Sequence, residues 1–189
     1  MNYCSHCGAT LSFELPAGDN RPRFVCRHCE TIHYQNPKMV VGCLPVWEDQ
    51  VLLCRRAIEP KYGLWTLPAG FMENGEAADE GAMRETLEEA GARVEVIDLY
   101  TMISLPDIDQ VYLLYLAKLL DLDFAAGEES LEVALFREAD IPWEHIAFRT
   151  VEETLRHYFH DRCQGHFPLH RGKLYRRRLS SAPADESTK

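Results

Sequence analysis

The sequence predicts an α/β fold, a mixed sheet between helices in an α/β/α sandwich, preceded by a small separate unit. Three observations carry this. Paired cysteines at Cys4/Cys7 and Cys26/Cys29 set off residues 1–36. Across residues 37–165, apolar runs of strand length alternate with two stretches of helical spacing. Their order is strands, helix, strands, helix, which places a sheet between helices. Hydrophobic residues make up 46% of the chain, enough for a core. The net charge of −10 argues against broad nucleic-acid affinity, which needs clustered basic residues. No apolar run reaches the roughly 18 residues that would span a membrane. The opening MNYCSHCG has neither a basic nor an apolar leader segment, and seven cysteines is an odd count. A reducing cytoplasm is the expected location.

In residues 1–36, Cys4-x2-Cys7 and Cys26-x2-Cys29 are two knuckles 18 residues apart. Four thiolates at this spacing close a tetrahedral Zn²⁺ site, and the unit reads as a zinc ribbon. His6, His28 and His33 lie near the knuckles and are expected outside the ligand set. So short a unit buries little apolar surface, so the metal is expected to supply much of its folding free energy. Arg21, Arg23, Arg27 and Lys38 nearly balance Glu14, Asp19 and Glu30. A packing or dimerisation role is expected rather than nucleic-acid binding.

Asn36-Pro37 marks a linker. Met39–Trp47 and Val51–Arg55 read as a hairpin, with Cys43 and Cys54 as small buried hydrophobes. Arg55 and Arg56 follow at the strand end, where either could reach a substrate phosphate. Pro60–Pro68 is loop with one short extended piece, and Trp65 is expected to pack beneath it. Arg93–Ile103, Val111–Leu120 and Leu131–Phe136 read as strands. Glu138–Trp143 reads as a turn or short helix. Phe148 to about Cys163 carries Val151, Leu155, Tyr158 and Phe159 at helical spacing. Residues 166–189 read as a polar, partly basic tail, expected to be mobile.

The stretch Gly70–Ala92 organises the rest. Gly70, Asn74 and Gly75 supply turn chemistry, and about Glu76 to Ala90 is rich in helix formers, with Gly91 at the expected end. Steps of 100° put Glu85, Glu88 and Glu89 on one face and Met83, Leu87 and Ala90 on the other. Like charges at i,i+3 and i,i+4 cost roughly 0.2–0.5 kcal/mol per pair. Negative charge near a helix C-terminus also opposes the macrodipole. A divalent cation would remove the repulsion, and oxygen ligands on a rigid helix suit Mg²⁺ or Mn²⁺, which accept phosphate oxygens as co-ligands.

The frame is Gly70, five residues, Glu76, seven residues, then Arg84-Glu85-Thr86-Leu87-Glu88-Glu89-Ala90-Gly91-Ala92. It resembles the Nudix box, with Thr86 and Ala92 where a larger aliphatic is commoner. The resemblance covers about residues 38–165 and implies a Nudix-type sandwich. It also implies hydrolysis of a nucleoside diphosphate linked to another moiety. It implies Glu85, Glu88 and Glu89 as Mg²⁺ or Mn²⁺ ligands with the Gly70 carbonyl, and an Arg84–Glu76 pair that orients the loop against the helix. A box glutamate or one from a later loop serves as base; Gly127-Glu128-Glu129-Ser130-Leu131-Glu132 offers such a loop, with Glu129 and Glu132 as candidates.

The segments CSHCG, NPKMVVGCLPVWE, CRRAIEP and GLWTLPAGFMENGE, with Pro106 downstream, are also similar to a zinc-ribbon Nudix group whose members act on ADP-ribose and FAD. That similarity covers about residues 1–160 and implies release of AMP, and a homodimer. The region after the box, DLYTMISLPDIDQVYLLY, lacks the SQPWPFP-type motif of NADH pyrophosphatases. NADH pyrophosphatase, a MutT-like cleaner of nucleoside triphosphates, and a nucleic-acid-binding regulator on the same scaffold are the alternatives.

Overall fold

The computed structural model describes residues 1–175, which divide into two compact units, Met1–Pro37 and the chain from Lys38 onward. In the first, β1 (Ser12–Glu14), β2 (Arg23–Val25) and β3 (Ile32–His33) form an antiparallel sheet in that order. The four sulfurs of Cys4, Cys7, Cys26 and Cys29 all lie within 4.8 Å of one another. The Cys4–Cys29 and Cys7–Cys26 pairs are 3.6 and 3.5 Å apart. A tetrahedron with Zn–S bonds of about 2.3 Å has edges of about 3.8 Å, so the donor set fits zinc. Hydrogen bonds from the Thr31 hydroxyl and amide pull the Cys29 thiol down to about 5, which favours the ligating thiolate. His33 Nε2 lies 3.3 Å from Cys4 Sγ, and His6 bonds the Thr31 hydroxyl; both histidines stand outside the four-sulfur group.

The second unit is built on one mixed sheet. Its strands are β4 (Lys38–Trp47), β5 (Gln50–Arg56), β6 (Trp65–Thr66), β7 (Ala69–Phe71), β8 (Val94–Leu105), β9 (Gln110–Leu119), β10 (Ser130–Phe136) and β11 (His170–Lys173). The main order is β10-β5-β4-β9-β8-β11, with β6 on β5 and β7 on β4. Two α-helices, α1 (Ala78–Ala90) and α2 (Arg149–Gln164), pack against it.

Strand alternation sorts the core into two layers. Leu44 of β4, Val51 and Leu53 of β5, and Leu114 and Leu116 of β9 meet Val151, Leu155, Tyr158 and Phe159 of α2. The intervening Cys43, Leu52, Cys54, Ala117 and Leu119 meet Ala82 and Ala90 of α1. The helices therefore cover opposite faces, the expected sandwich. On α1 the buried positions are Gly81, Ala82, Thr86, Glu89 and Ala90, whereas Leu87 is 54% exposed. The expected apolar face of Met83, Leu87 and Ala90 is thus rotated, and a carboxylate lies at the sheet.

The sheet is split. β4 pairs with β5 only at Val46–Val51 and Trp47–Gln50. Beyond that, β4 turns to β7 through Val40–Phe71, Val41–Gly70 and Gly42–Ala69, while β5 turns to β6. Gly42 is required there: a Cβ would fall onto Ala69 and the Pro68 carbonyl. Residues 66–70 are wedged between the diverging strands. Trp65 packs edge-on against Phe136 at 4.8 Å, as part of the α2-side core.

One segment departs from expectation. Residues 170–173, read as tail, form β11, which pairs in parallel with β8 from His170–Thr101 to Lys173–Ser104. The sequence hides it because the strand is short and polar, and its pairing is wholly non-local. The remainder of the expected tail, residues 176–189, lies outside the described residues. Beside the start of β11, the buried Asp161 of α2 accepts the Tyr100 hydroxyl at 2.8 Å on the carboxylate oxygen that lies 2.6 Å from His170 Nε2. The His157 ring stacks on His170 at 3.8 Å. Burial would raise the Asp161 carboxyl, but the His170 and Tyr100 bonds outweigh it and hold the group below its ordinary value.

Two predictions follow from these packing details. A chelator that removes zinc should melt residues 1–37 while the sheet from Lys38 onward persists, read by amide exchange or limited proteolysis. A carboxyl held below its unfolded value stabilises the fold above the ordinary carboxylate range and loses that contribution as pH falls through its folded value. Asp161→Asn should therefore be less stable than wild type at neutral pH and show a flatter acid limb, measured by thermal melts from pH 7 downward.

Candidate active site

The loop between β7 and α1 is bound to the helix by Glu80, whose carboxylate accepts the Ala77 amide at 2.9 Å, and most extensively by Arg84. Arg84 Nε and Nη2 donate to the two Glu76 carboxylate oxygens at 2.9 and 2.8 Å. This bidentate pair is the strong form of the interaction. Arg84 Nη1 donates to Glu85 and Glu88 at 2.8 and 2.9 Å, and Nη2 to the Phe71 carbonyl at 3.3 Å. Glu76 also accepts the Glu73 amide, and its carboxyl is pulled down to about 2, chiefly by Arg84. Helical projection directs Arg84 away from the acidic face toward Glu76; the side chain reaches both. A guanidinium is long and forked, so backbone direction alone did not decide its partners.

Glu85 and Glu89 point inward. Glu89 is 7% exposed and accepts the Ala69 amide at 3.2 Å. Burial pushes its carboxyl up to about 8, with Glu85 and Glu129 adding repulsion. Burial also raises Glu85. Gly70 lies directly against Glu85, since a Cβ there would fall onto the carboxylate. Glu88 is exposed on the rim. Buried carboxylates in mutual repulsion beside a backbone carbonyl form an oxygen donor set of the kind a divalent cation neutralises. Among the described residues, the four cysteines are the group whose ligand atoms all approach within 4.8 Å; the glutamates share a cleft without converging that closely, with Arg84 spanning Glu85 and Glu88.

That cleft has a volume of about 1220 Å³ and lies where β4 and β5 part. Glu85, Glu88, Glu89 and Gly70 line it, as does Glu129. The loop bearing Glu129 crosses the end of α1, where the Ala125 and Gly127 amides donate to the Ala90 and Glu89 carbonyls at 2.9 and 3.0 Å. These bonds satisfy helix carbonyls that have no partner within the helix. Gly127 is obligatory, because a Cβ would fall on the Glu88 carbonyl. The Glu129 carbonyl accepts the Ala57 amide at 2.8 Å, fixing the loop to the end of β5.

The structure separates the paired candidates. Glu132 lies on β10, 3.6 Å from Arg55, and neither lines the cleft. Arg56 does line it; the side chain is buried, with Nε on the Pro60 carbonyl at 2.9 Å and the guanidinium 5.2 Å from the Phe148 ring. Successive strand residues face opposite ways, so only one arginine of the pair could turn inward. Tyr112 and the first turn of α2, at Phe148, Arg149 and Thr150, complete this part of the cleft. Sequence reasoning assigned them only to a strand and a helix start. One signal was available: Phe148 precedes the helix where a capping Ser, Thr, Asp or Asn is usual.

Family models match both units of the chain. A NUDIX domain model matches residues 36–159, and a Nudix N-terminal zinc-ribbon model matches residues 2–35. The chain belongs to the Nudix family. This Nudix hydrolase is 56% identical to a NUDIX hydrolase from Nitrosomonas europaea, with a TM-score of 0.90 over 93% of this chain and 99% of that one. It is 28% identical over 113 residues to an ADP-ribose pyrophosphatase of Methanocaldococcus jannaschii, covering 58% of this chain and 67% of that relative. It is also 28% identical over 166 residues to the NAD-capped RNA hydrolase NudC of Edwardsiella ictaluri, covering 81% of this chain. The match spans 60% of the length of that relative.

The Gly127 contact is with backbone, which no rotamer change relieves. Gly127→Ala should cost about 1–3 kcal/mol by overpacking. It should also lower kcat more than an exposed Gly→Ala control such as Gly172→Ala, because it displaces Glu129. Thermal melts and steady-state kinetics of both variants check this.

Proposed function

We propose that this protein is a Mg²⁺- or Mn²⁺-dependent pyrophosphohydrolase. Its substrate is a nucleoside diphosphate linked to another moiety, with ADP-ribose or FAD favoured and AMP released. The observation that carries this is the shared cleft: Glu85, Glu88, Glu89 and Glu129 face the same space as the buried Arg56. An anionic diphosphate cannot enter an acidic site unless cations offset the repulsion. Divalent ions held by Glu85, Glu88, Glu89 and the Gly70 carbonyl would supply charge neutralisation and an activated water. Glu76 and Arg84 keep the Gly70 loop against the helix and so hold the ligand set in place. Arg56 draws a phosphate oxygen toward the end of β5. Glu129, or a box carboxylate such as the buried Glu89, accepts the proton of the attacking water. The four cysteines hold a structural zinc, and a reducing, cytoplasmic setting suits them. A homodimer, with the ribbon as a packing or dimerisation element, completes the reading.

NADH-type substrates form a second reading, favoured by the similarity to NAD-capped RNA hydrolases. Incubation with Mg²⁺ and ADP-ribose, FAD, NADH and dNTPs, followed by chromatography, distinguishes them. AMP from ADP-ribose or FAD is expected; pyrophosphate from dNTPs alone would overturn the proposal in favour of a MutT-like activity. Glu85→Gln and Glu89→Gln should each lower kcat by roughly two orders of magnitude with the fold intact by circular dichroism. Near-normal turnover in either variant would remove that residue from the ligand set.

A further inference from the structure

The chain beyond α2 returns to the cleft. Leu174 and Tyr175, which follow β11, line the same cavity as Glu85 and Glu89. Both lie past residue 159, where the match to the NUDIX domain model ends. Their backbone is pinned. At the start of β11, His170 Nε2 lies 2.6 Å from the Asp161 carboxylate. At its end, the Leu174 amide donates to the Ser104 carbonyl at 2.9 Å, and Arg149 Nη1 donates to the Tyr175 carbonyl at 3.1 Å. The Tyr175 ring is thus carried on fixed backbone, so little chain freedom is lost when a ligand meets it. Four aromatic side chains line the cleft: Phe71, Tyr112, Phe148 and Tyr175. Lys38 Nζ lies 4.9 Å from the centre of the Phe71 ring, and the Arg56 guanidinium 5.2 Å from that of Phe148. Tyr112 stands within the sheet between Val40 and Ile103, and burial raises its phenol. Tyr175 is 53% exposed, and neither a cation nor another ring lies against it among the described residues.

Apolar side chains continue that wall. Leu105 and Ile108 line the cleft where β8 ends, and the Ser104 carbonyl ties Leu174 to that end. Gln110, which pairs with Leu105, lines the cleft as well, and its side-chain amide bonds no other described residue. An amide offers both donors and an acceptor. A flat apolar surface with an amide on the same wall suits a heteroaromatic ring, which has a π-face to stack and polar edges to pair. A phosphate or a sugar hydroxyl finds no partner in an exposed phenol ring face. We propose that Tyr175 is the residue on which the nucleobase of the substrate stacks, with Leu105, Ile108 and Leu174 beside it and Gln110 at the base edge. This deepens the pyrophosphohydrolase reading and rests on it for the presence of a nucleoside in the cleft. The carboxylates engage the diphosphate through cations, and the base is held by the wall that β11 carries. Stacking accepts any base, so Tyr175 sets affinity for the nucleoside end rather than the choice among bases.

Tyr175→Ala removes the ring, while Tyr175→Phe and Tyr175→Trp keep one. With ADP-ribose and saturating Mg²⁺, Tyr175→Ala should raise KM by roughly five- to a hundredfold with kcat changed by less than about threefold. Tyr175→Phe and Tyr175→Trp should hold KM within about threefold of wild type. An unchanged KM in Tyr175→Ala overturns the stacking role. An equal rise in the Phe and Trp variants overturns it too, since a ring is then not what the substrate needs. AMP and ribose 5-phosphate, which carries a phosphate without a base, are titrated into the zinc-loaded wild-type protein with Mg²⁺ and read by NMR. AMP should move the Tyr175 ring resonances upfield, and ribose 5-phosphate should leave them in place. AMP shifts that spare Tyr175, or no AMP binding at all, overturn the proposal. The titration reads the wild-type protein, so it decides the matter even if Tyr175→Ala fails to fold. It also needs no turnover: if AMP moves Tyr175 while ADP-ribose is not cleaved, the catalytic reading fails and the base site stands.

Discussion

One guanidinium holds the acidic half of the cleft together. Arg84 binds both oxygens of Glu76, one oxygen each of Glu85 and Glu88, and the Phe71 carbonyl. It therefore ties a glycine-rich loop to a helix face whose like charges would otherwise drive the two apart. The geometry needs several coplanar donors on one rigid group, which lysine lacks. Gly70 depends on this arrangement, because its backbone lies against Glu85 only while the loop is drawn in.

A second constraint is the divergence of β4 and β5. A continuous sheet would have filled the space beneath α1 with side chains from paired strands. Here the hairpin opens, residues 66–70 enter the gap, and Glu89 finds a buried position with the Ala69 amide as its hydrogen-bond donor. One hydrogen bond does not repay the loss of water around a carboxylate, and the carboxyl rises to about 8. The protein thus holds an acid in a position that stability alone would give to an apolar residue. Such violations of local design cluster where a protein performs chemistry.

The opposite end of the cleft is chemically distinct. Arg56, Tyr112 and the start of α2 meet near the end of β5, with no carboxylate paired to the arginine among the described residues. An acidic end that attracts cations and an end with an unpaired arginine thus share one cleft. Both ends are anchored on the sheet. α1 and α2 cover opposite faces, and the split lets residues from each reach the same space.

The acidic turn of α1, the cysteine knuckles and the strand–helix order were legible in the chain because each rests on near-neighbour geometry: a 100° step, a two-residue knuckle, an alternation of apolar residues. The choices between Arg55 and Arg56, and between Glu129 and Glu132, were not legible. They turn on strand parity and on a loop whose course is set by Gly127 crossing the end of α1. Leu87 misled the helix projection because periodicity names a face without saying what meets it. β11 was likewise invisible, because it depends on pairing with β8. The sequence by itself determined which residues carry thiols and carboxylates and how they are spaced along the backbone, since short-range spacing follows from covalent geometry. Tertiary structure alone decided which charges lose their water and which face a common cavity, since desolvation depends on segments distant in the chain.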